Sequence, residues 1–433
     1  MIAPLVLLLL ASAAGRSVDV AHYDVTVEPG IADKTVKGRV VIEFATTAAP
    51  LTEVDLDIGA LAIDSVREGG APLEFTAADR RVHVRLEGSA TPRKNRRIEI
   101  AYHGAPRFGL EFVPEKSETY TIFSTSQWMP AIDAPGDKAT LRLRLILPAG
   151  LRVAANGRPV ATRSLEGGRE EHEWRLDRQA PTDTFGFAAA RFEEVTEKRG
   201  RTVLRYLSTA ATSSQLRQIF ALTRDMMTFF EERSGVPYPG SVYAQALVEK
   251  TIGQELKGFS LMSEEDGRGV LADPSGIGLI AHELAHQWWG NEITCLDWTH
   301  FWLNEGFATF MAGAYREKRF GREAYLKEVE TWRARYERVK AAGKDRSLVF
   351  PDWNRPTSED RALVYQKGAL VLHALRERLG EELFWRGLGA YTRGHFSKSV
   401  TTADFQRAME RSTGKDLSDF FDEWVYLASK GGS

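Results

Sequence analysis

His282-Glu283-Leu284-Ala285-His286 sets two imidazoles four residues apart with a carboxylate beside the first, and Glu305 follows nineteen residues after the second histidine. On an α-helix, residues i and i+4 stack on one face, so His282 and His286 can direct two rings at one ion. Glu283 then lies about 100° round the helix. From there it reaches a metal-bound water without being a ligand. A catalytic zinc takes three protein groups and keeps one position open, which makes Glu305 the candidate third ligand. Two imidazoles and a carboxylate suit zinc. With 9 histidines in the chain, a chance H-E-x-x-H arises in roughly one chain in a hundred, and a glutamate at one fixed later position lowers that about tenfold. The competing reading is a solvated His/Glu helix face. Against it stand the apolar lead-in from Ile277 to Ile280, the closing Gln287-Trp288-Trp289-Gly290, and a second helical pattern that opens at Asn304-Glu305-Gly306-Phe307-Ala308 and runs to about Arg319.

Two elements must converge to build such a site, and the chain is long enough for two domains. Its 433 residues exceed the size at which single cores stop growing, and 43% hydrophobic with 27% charged residues is ordinary globular usage. A formal charge of -2 gives no basic footprint, so neither nucleic acid nor an anionic membrane is an expected partner. Pro4 to Ala14 is apolar but too short to span a bilayer, and Ala11-Ser12-Ala13 has the small-x-small pattern of a signal-peptidase site. Residues 1–16 therefore read as a secretory signal, giving a secreted or periplasmic protein; an ordered N-terminal segment of a cytoplasmic protein is the other reading. The single cysteine, Cys295, excludes an intrachain disulfide and reads as a small buried hydrophobe.

The periodicity changes along the chain. From Val18 to about Val195, short alternating runs such as Val40-Val41-Ile42-Glu43-Phe44 and Leu141-Arg142-Leu143-Arg144-Leu145-Ile146 are separated by Gly, Pro and Asn turns, the pattern of an antiparallel β-sandwich. After Tyr206, Ser214 to Arg233 and Tyr365 to Leu379 carry helical apolar spacing, each ended by a glycine. Ser241 to Glu264 reads as edge strands leading into the His282 helix. The expectation is an α+β protein: a β-sandwich domain over 17–203 and a mainly helical domain with a small edge sheet over 204–433.

H-E-L-A-H-Q-W-W-G followed by W-L-N-E-G-F-A resembles the gluzincin zinc aminopeptidases, the aminopeptidase N and leukotriene hydrolase group. The resemblance extends over nearly all of the chain, through His22-Tyr23-Asp24, Asp133-Ala134-Pro135, Gly235-Val236-Pro237-Tyr238-Pro239, Tyr365-Gln366-Lys367-Gly368 and Phe420-Phe421-Asp422-Glu423-Trp424. It implies a thermolysin-like catalytic domain and one zinc per chain held by His282, His286 and Glu305. Zinc lowers the pKa of its water, Glu283 serves as general base, and Tyr365 stabilises the oxyanion. Peptides are the implied substrates, cleaved at the N-terminal residue.

Two stretches depart from the family pattern. Relatives bind the substrate's α-ammonium with the glutamate of a G-x-M-E-N run, and here Ile252-Gly253-Gln254-Glu255-Leu256 retains the glutamate as Glu255 while its neighbours differ. Glu255 is the expected anchor, with a salt bridge to Lys257 or Lys250 as the plain alternative. The family also contributes a Gln or Glu from the β domain, and Gln127, in a shortened loop, is the candidate. Larger relatives continue past the point where this chain ends, so a more open cleft is expected. Other readings are a zinc endopeptidase or dipeptide-releasing hydrolase and, from a different class, a binding module with a structural metal. His300 reads as a packing or supporting residue, and Trp288, Trp289, Trp298 and Trp302 as core around the site helices.

Overall fold

The computed structural model describes residues 17–47, 50–91, 94–351, 353 and 356–427. The expected export segment, residues 1–16, lies outside them. Among the described residues no helix is long and apolar enough to cross a membrane.

Alternation builds the first half. In strand Val18–Gly30 residues Val20, Val25 and Val27 turn inward, as do Val40, Ile42 and Phe44 in Thr35–Thr46 and Leu141, Leu143 and Leu145 in Lys138–Pro148. These strands belong to an eight-stranded sheet. Its inner face shares one apolar core with a three-stranded sheet centred on Arg81–Ala90 and a four-stranded sheet containing Phe187–Ala190. The expected sandwich is antiparallel except at one place: Val18–Gly30 runs parallel to Lys138–Pro148, with Val25 opposite Leu143. A crossover rather than a hairpin joins them, and local alternation carries no record of that choice.

The expected domain boundary at 203/204 needs correction. Strands Glu193–Arg199 and Thr202–Ser208 join Val242–Val248, Phe259–Ser263 and Gln254–Leu256 in a five-stranded sheet that flanks the His282 helix. The chain therefore enters the second domain just after the Phe187–Ala190 strand. A strand half buried on one face alternates in the same way whichever sheet it joins, so the pattern alone cannot mark the handover.

The helical half also follows its sequence signals. Helix Thr223–Ser234 stops at Gly235, whose φ of 69° is the left-handed cap that glycine adopts without strain. The stretch expected as one helix from Ser214 is divided, with Ser213–Ile219 as a separate element. Helices Gly278–Ala285, Trp302–Phe320, Arg322–Ala341 and Gly368–Leu379 pack around Trp288, Trp289 and Trp302, each at most 1% exposed. Trp288 donates to the carbonyl of Val236 and Trp289 to the hydroxyl of Thr392. Buried indole N–H groups are thus satisfied, and the helices are fixed to both flanks of the core.

Candidate active site

His282 lies on helix Gly278–Ala285 and His286 at its C-terminal cap. One turn apart on one face, their Nε2 atoms come within 3.0 Å of each other, and Glu305 Oε2 is 3.2 Å from the first and 3.4 Å from the second. His286 Nδ1–H donates to the carbonyl of Trp289 at 3.0 Å, which leaves its Nε2 lone pair facing the cluster. Gly290 makes that turn possible. Its φ is 134°, and a Cβ there would come 2.8 Å from His286 Nδ1. Glu305 Oε2 is buried and receives no hydrogen bond.

The cluster fits zinc on geometry. Ligand atoms about 2.0–2.1 Å from a tetrahedral ion lie about 3.3 Å from one another, and the three observed separations of 3.0, 3.2 and 3.4 Å bracket that value. The field around them favours a cation. Although burial works against charge at both groups, Glu305 and Glu255 raise His286 to about 10, and His286 with His282 holds Glu305 down to about 2. A site that holds a proton this firmly is electrostatically prepared for a divalent ion.

Glu283 is 4% exposed, on the same helix but turned towards strand Gln254–Leu256. One of its carboxylate oxygens lies within 4.8 Å of ligand atoms on both His286 and Glu255, and Oε2 has no hydrogen-bond partner. Burial, then the charge of Glu255, raises its carboxyl well above the ordinary range. Gly253 clears the space for it. With φ at 102°, that residue passes so close that any Cβ would strike Glu283 Oε1.

Tyr365 comes from a π-helical turn, Leu363–Lys367, that opens helix Gly368–Leu379. Such turns often mark functional positions because they re-aim side chains. Its ring stacks on that of His282, 5.8 Å between centroids and 8° from parallel. Burial and the charges of Glu305, Glu255 and Glu283 keep the phenol protonated, as a hydrogen-bond donor. A pair of glycines brings this element in. A Cβ on Gly306 would lie 2.9 Å from Gly368 backbone atoms, so the helix bearing Glu305 and the one following Tyr365 touch backbone to backbone. Lys367, fully buried, donates to Asp345 Oδ1 at 2.8 Å and to the carbonyl of Arg346 at 2.9 Å, which anchors the turn from the other side.

Glu255 faces the same centre. Gln287, directly after His286, clamps its strand: Nε2–H donates to the carbonyl of Leu256 and Oε1 accepts from the N–H of Gly258, both at 3.0 Å. The salt-bridge alternative for Glu255 fails, because Lys257 pairs with Glu292 at 2.5 Å and no Lys or Arg pairs with Glu255 among the described residues. Gln254 donates to Glu255 at 2.9 Å and accepts from the N–H of Phe123 at 2.7 Å, linking it to the β domain. Burial raises Glu255 to about 7, with Glu305 adding to it and His286 opposing.

His282, His286, Glu305, Glu283, Glu255 and Tyr365 line a cavity of about 840 Å³ between the domains. Gln127 does not line it. Its side chain packs on Gly59 and Gly109, and a Cβ at either glycine would collide with it. The helical turn Thr125–Gln127 directs it away, and Asp133 and Asp183 present the β domain's charge instead. Trp298 corrects the expectation of a wholly internal tryptophan cluster, since it lines the cavity with Phe301 and Trp353. His300 bonds to the Thr402 hydroxyl at 3.0 Å, a packing role, and Cys295 is fully buried. Arg316, Arg335 and Arg361 line a remoter wall. Arg316 is eleven residues beyond Glu305 on one helix, about 16 Å along its axis.

Known proteins share this arrangement of domains. The Peptidase M1 N-terminal domain matches residues 20–183 and the Peptidase family M1 domain matches residues 219–424. A probable aminopeptidase 2 of Sulfurisphaera tokodaii is 24% identical over 94% of this chain and 53% of its own length. Aminopeptidase N of Caulobacter vibrioides is 28% identical over 76% of this chain and 39% of its own. The chain thus spans about half the length, or less, of these curated relatives. An M1 zinc metallopeptidase from Deinococcus radiodurans superposes with a TM-score of 0.79 at 24% identity, covering 96% of each chain. Joined to the geometry of His282, His286 and Glu305, the two domain matches establish that this chain belongs to peptidase family M1.

Proposed function

We propose that the chain is a zinc aminopeptidase that removes N-terminal residues from peptides. The observation that carries this reading is the convergence, in one cavity, of a zinc-sized ligand triad with an unpaired Glu283 oxygen and the uncompensated carboxylate of Glu255. His282, His286 and Glu305 would hold one zinc ion per chain. Bound zinc supplies Lewis-acid polarisation of the scissile carbonyl and a water acidic enough to attack it near neutral pH. Glu283 takes the proton from the attacking water and passes it to the departing amine. Tyr365 donates a hydrogen bond to the carbonyl oxygen as charge gathers there.

Glu255 selects a free N-terminus. A buried carboxylate without a cation is costly, and a substrate ammonium removes that cost where an acylated amine cannot. Aromatic Trp298, Phe301 and Trp353 and the arginines beyond suit a peptide that enters ammonium first and runs outwards. A relative with this fold has been solved with a Tyr-Ser-Ala substrate, which agrees with a peptide in the cavity. Export is part of the same proposal, supported by the apolar run from Pro4 to Ala14 and the Ala11-Ser12-Ala13 site.

The test is turnover of a tripeptide with a free amine against its N-acetylated counterpart, followed by mass spectrometry. Release of the first residue from the free peptide alone is expected. Equal cleavage of both would make the protein an endopeptidase.

A further inference from the structure

Three arginines line the far wall of the cavity, and they are not equivalent. Arg316 is committed: it pairs with Glu328 at 3.0 Å and donates to the carbonyl of Ser275. Arg335 and Arg361 are exposed, and neither guanidinium has a hydrogen-bond or ion-pair partner among the described residues. The acids on their own elements are already taken. Glu328 holds Arg316, Glu337 pairs with Lys340 at 3.1 Å, Glu359 with Lys344 at 3.0 Å, and Asp360 with Arg346. One unpaired cation on open surface is ordinary. Two of the same sign on the wall of a substrate cavity make a field for the opposite sign.

Helix register sets both arginines within reach of a short substrate. After Gly321, helix Arg322–Ala341 runs back along Trp302–Phe320, so that Glu328 meets Arg316 and the ring of Trp332 meets Gly313. Carried on, this antiparallel register brings Arg335 level with Thr309. The Thr309 hydroxyl is 3.4 Å from Nδ1 of His282. Arg335 thus stands opposite the turn that supports a metal ligand, one helix spacing or about 8–10 Å away. Arg361 comes from a neighbouring element. It lies on helix Ser358–Ala362, which leads straight into the turn Leu363–Lys367, and is four residues before Tyr365, about 6 Å along the axis. The two elements touch, since Lys367 Nζ lies 5.2 Å from the ring of Tyr336, the residue after Arg335.

We propose that Arg335 and Arg361 form a subsite for the substrate's C-terminal carboxylate, so that free peptides of three or four residues are the favoured substrates. The inference rests on the aminopeptidase reading and adds a length rule to it. With the ammonium at Glu255 and the first carbonyl at the triad, two residues beyond the scissile bond carry the chain about 7 Å further and three carry it about 10 Å. A tripeptide or tetrapeptide ends at the guanidiniums, whereas a longer chain continues past them. The planar guanidinium matches a carboxylate in bidentate geometry. The cavity is acidic where a peptide begins and basic where a short one stops, with Trp332 and Trp353 as apolar wall.

The experiment measures kcat and KM for a tripeptide with a free C-terminus, its C-terminal amide and a hexapeptide, on wild type and on the double variant Arg335→Gln, Arg361→Gln. Both residues are exposed and unpaired, so the variant should melt with wild type. In wild type the free acid should show a KM about tenfold below that of the amide or the hexapeptide, the low end for charge-assisted hydrogen bonds at exposed groups. The double variant should lose that preference through KM, because binding remote from the reacting bond is felt equally in ground and transition states. A wild type that takes the acid no better than the amide or the hexapeptide, or a double variant that keeps the preference, overturns the proposal. An amide whose third residue is glutamate should stay as weak as the plain amide; rescue by that side chain would assign the arginines to acidic residues and overturn the terminal reading. Failure of the aminopeptidase reading shows elsewhere: the N-acetylated tripeptide would be cleaved like the free amine, whatever its C-terminus.

Discussion

The contact between Gly306 and Gly368 makes a sharp prediction, because it sets how far Tyr365 stands from the metal ligands. A Cβ on Gly306 would meet Gly368 Cα and C at 2.9 Å and the carbonyl oxygen of Val364 at 3.1 Å, all backbone atoms. Ordinary carbon contacts are about 3.5 Å or longer, so Gly306→Ala must part the two helices by roughly 0.6 Å. Overpacking of this kind costs about 1–3 kcal/mol, offset by about 1 kcal/mol of better helix propensity for alanine. The net loss is about 0–2 kcal/mol, or a fall in Tm of up to about 8 °C in a domain of this size. Catalysis suffers more. A misplacement of 1 Å can cost about a hundredfold, so a shift of roughly 0.6 Å should lower kcat about tenfold, with KM little changed. Thermal melting and steady-state kinetics on aminoacyl amides measure both effects, and Gly368→Ala should reproduce them from the other side. A Gly306→Ala protein with wild-type Tm and wild-type kcat would refute the claim that this contact positions Tyr365.

Three further outcomes follow from single side chains. Glu283→Gln should keep its zinc, by elemental analysis, while turnover falls by about 10²–10⁴; undiminished turnover would remove Glu283 from proton transfer. Tyr365→Phe should lower kcat by about 10²–10³ with KM nearly unchanged, and a change confined to KM would make the tyrosine a binding group only. Glu292 pairs with Lys257 of its own domain and with Arg178 of the β domain. Although burial opposes it, those cations hold its carboxyl down to about 2 from 4.5. A depressed carboxylate contributes stability that is complete above pH 4.5 and is lost as pH falls towards 2. Glu292→Gln should therefore cost about 3 kcal/mol at pH 7, and the gap in Tm from wild type should shrink across that acid window; a constant gap would contradict the sign.

Much of the site was legible because its chemistry obeys helical spacing. His282 and His286 lie one turn apart, and Glu305 opens the next long helix, so sequence distance translates almost directly into geometry. Glu255 could be placed through its strand, and the structure adds the reason it stays there: Gln287, part of the same motif, clamps that strand to the histidine helix. The expectation for Gln127 and the silence of the sequence on Asp183 have one physical cause. Both sit in three-residue helical turns of the β domain, where a single backbone rotation decides which side chain faces the cavity, and neither turn carries a periodic signal. Trp298 was assigned to the core by analogy with its neighbours, but it precedes the helix in a turn at the cavity's edge. The domain boundary was missed because an alternating strand does not state which sheet it will join.

The central claim is that His282, His286 and Glu305 grip one ion on which hydrolysis depends. Its most direct test is stoichiometric reconstitution: metal-stripped protein titrated with zinc while turnover of a free-amine tripeptide is followed. Activity should rise in a straight line and break at one zinc per chain. Full activity in the stripped protein, or no activity at any zinc level in folded protein, would contradict the account.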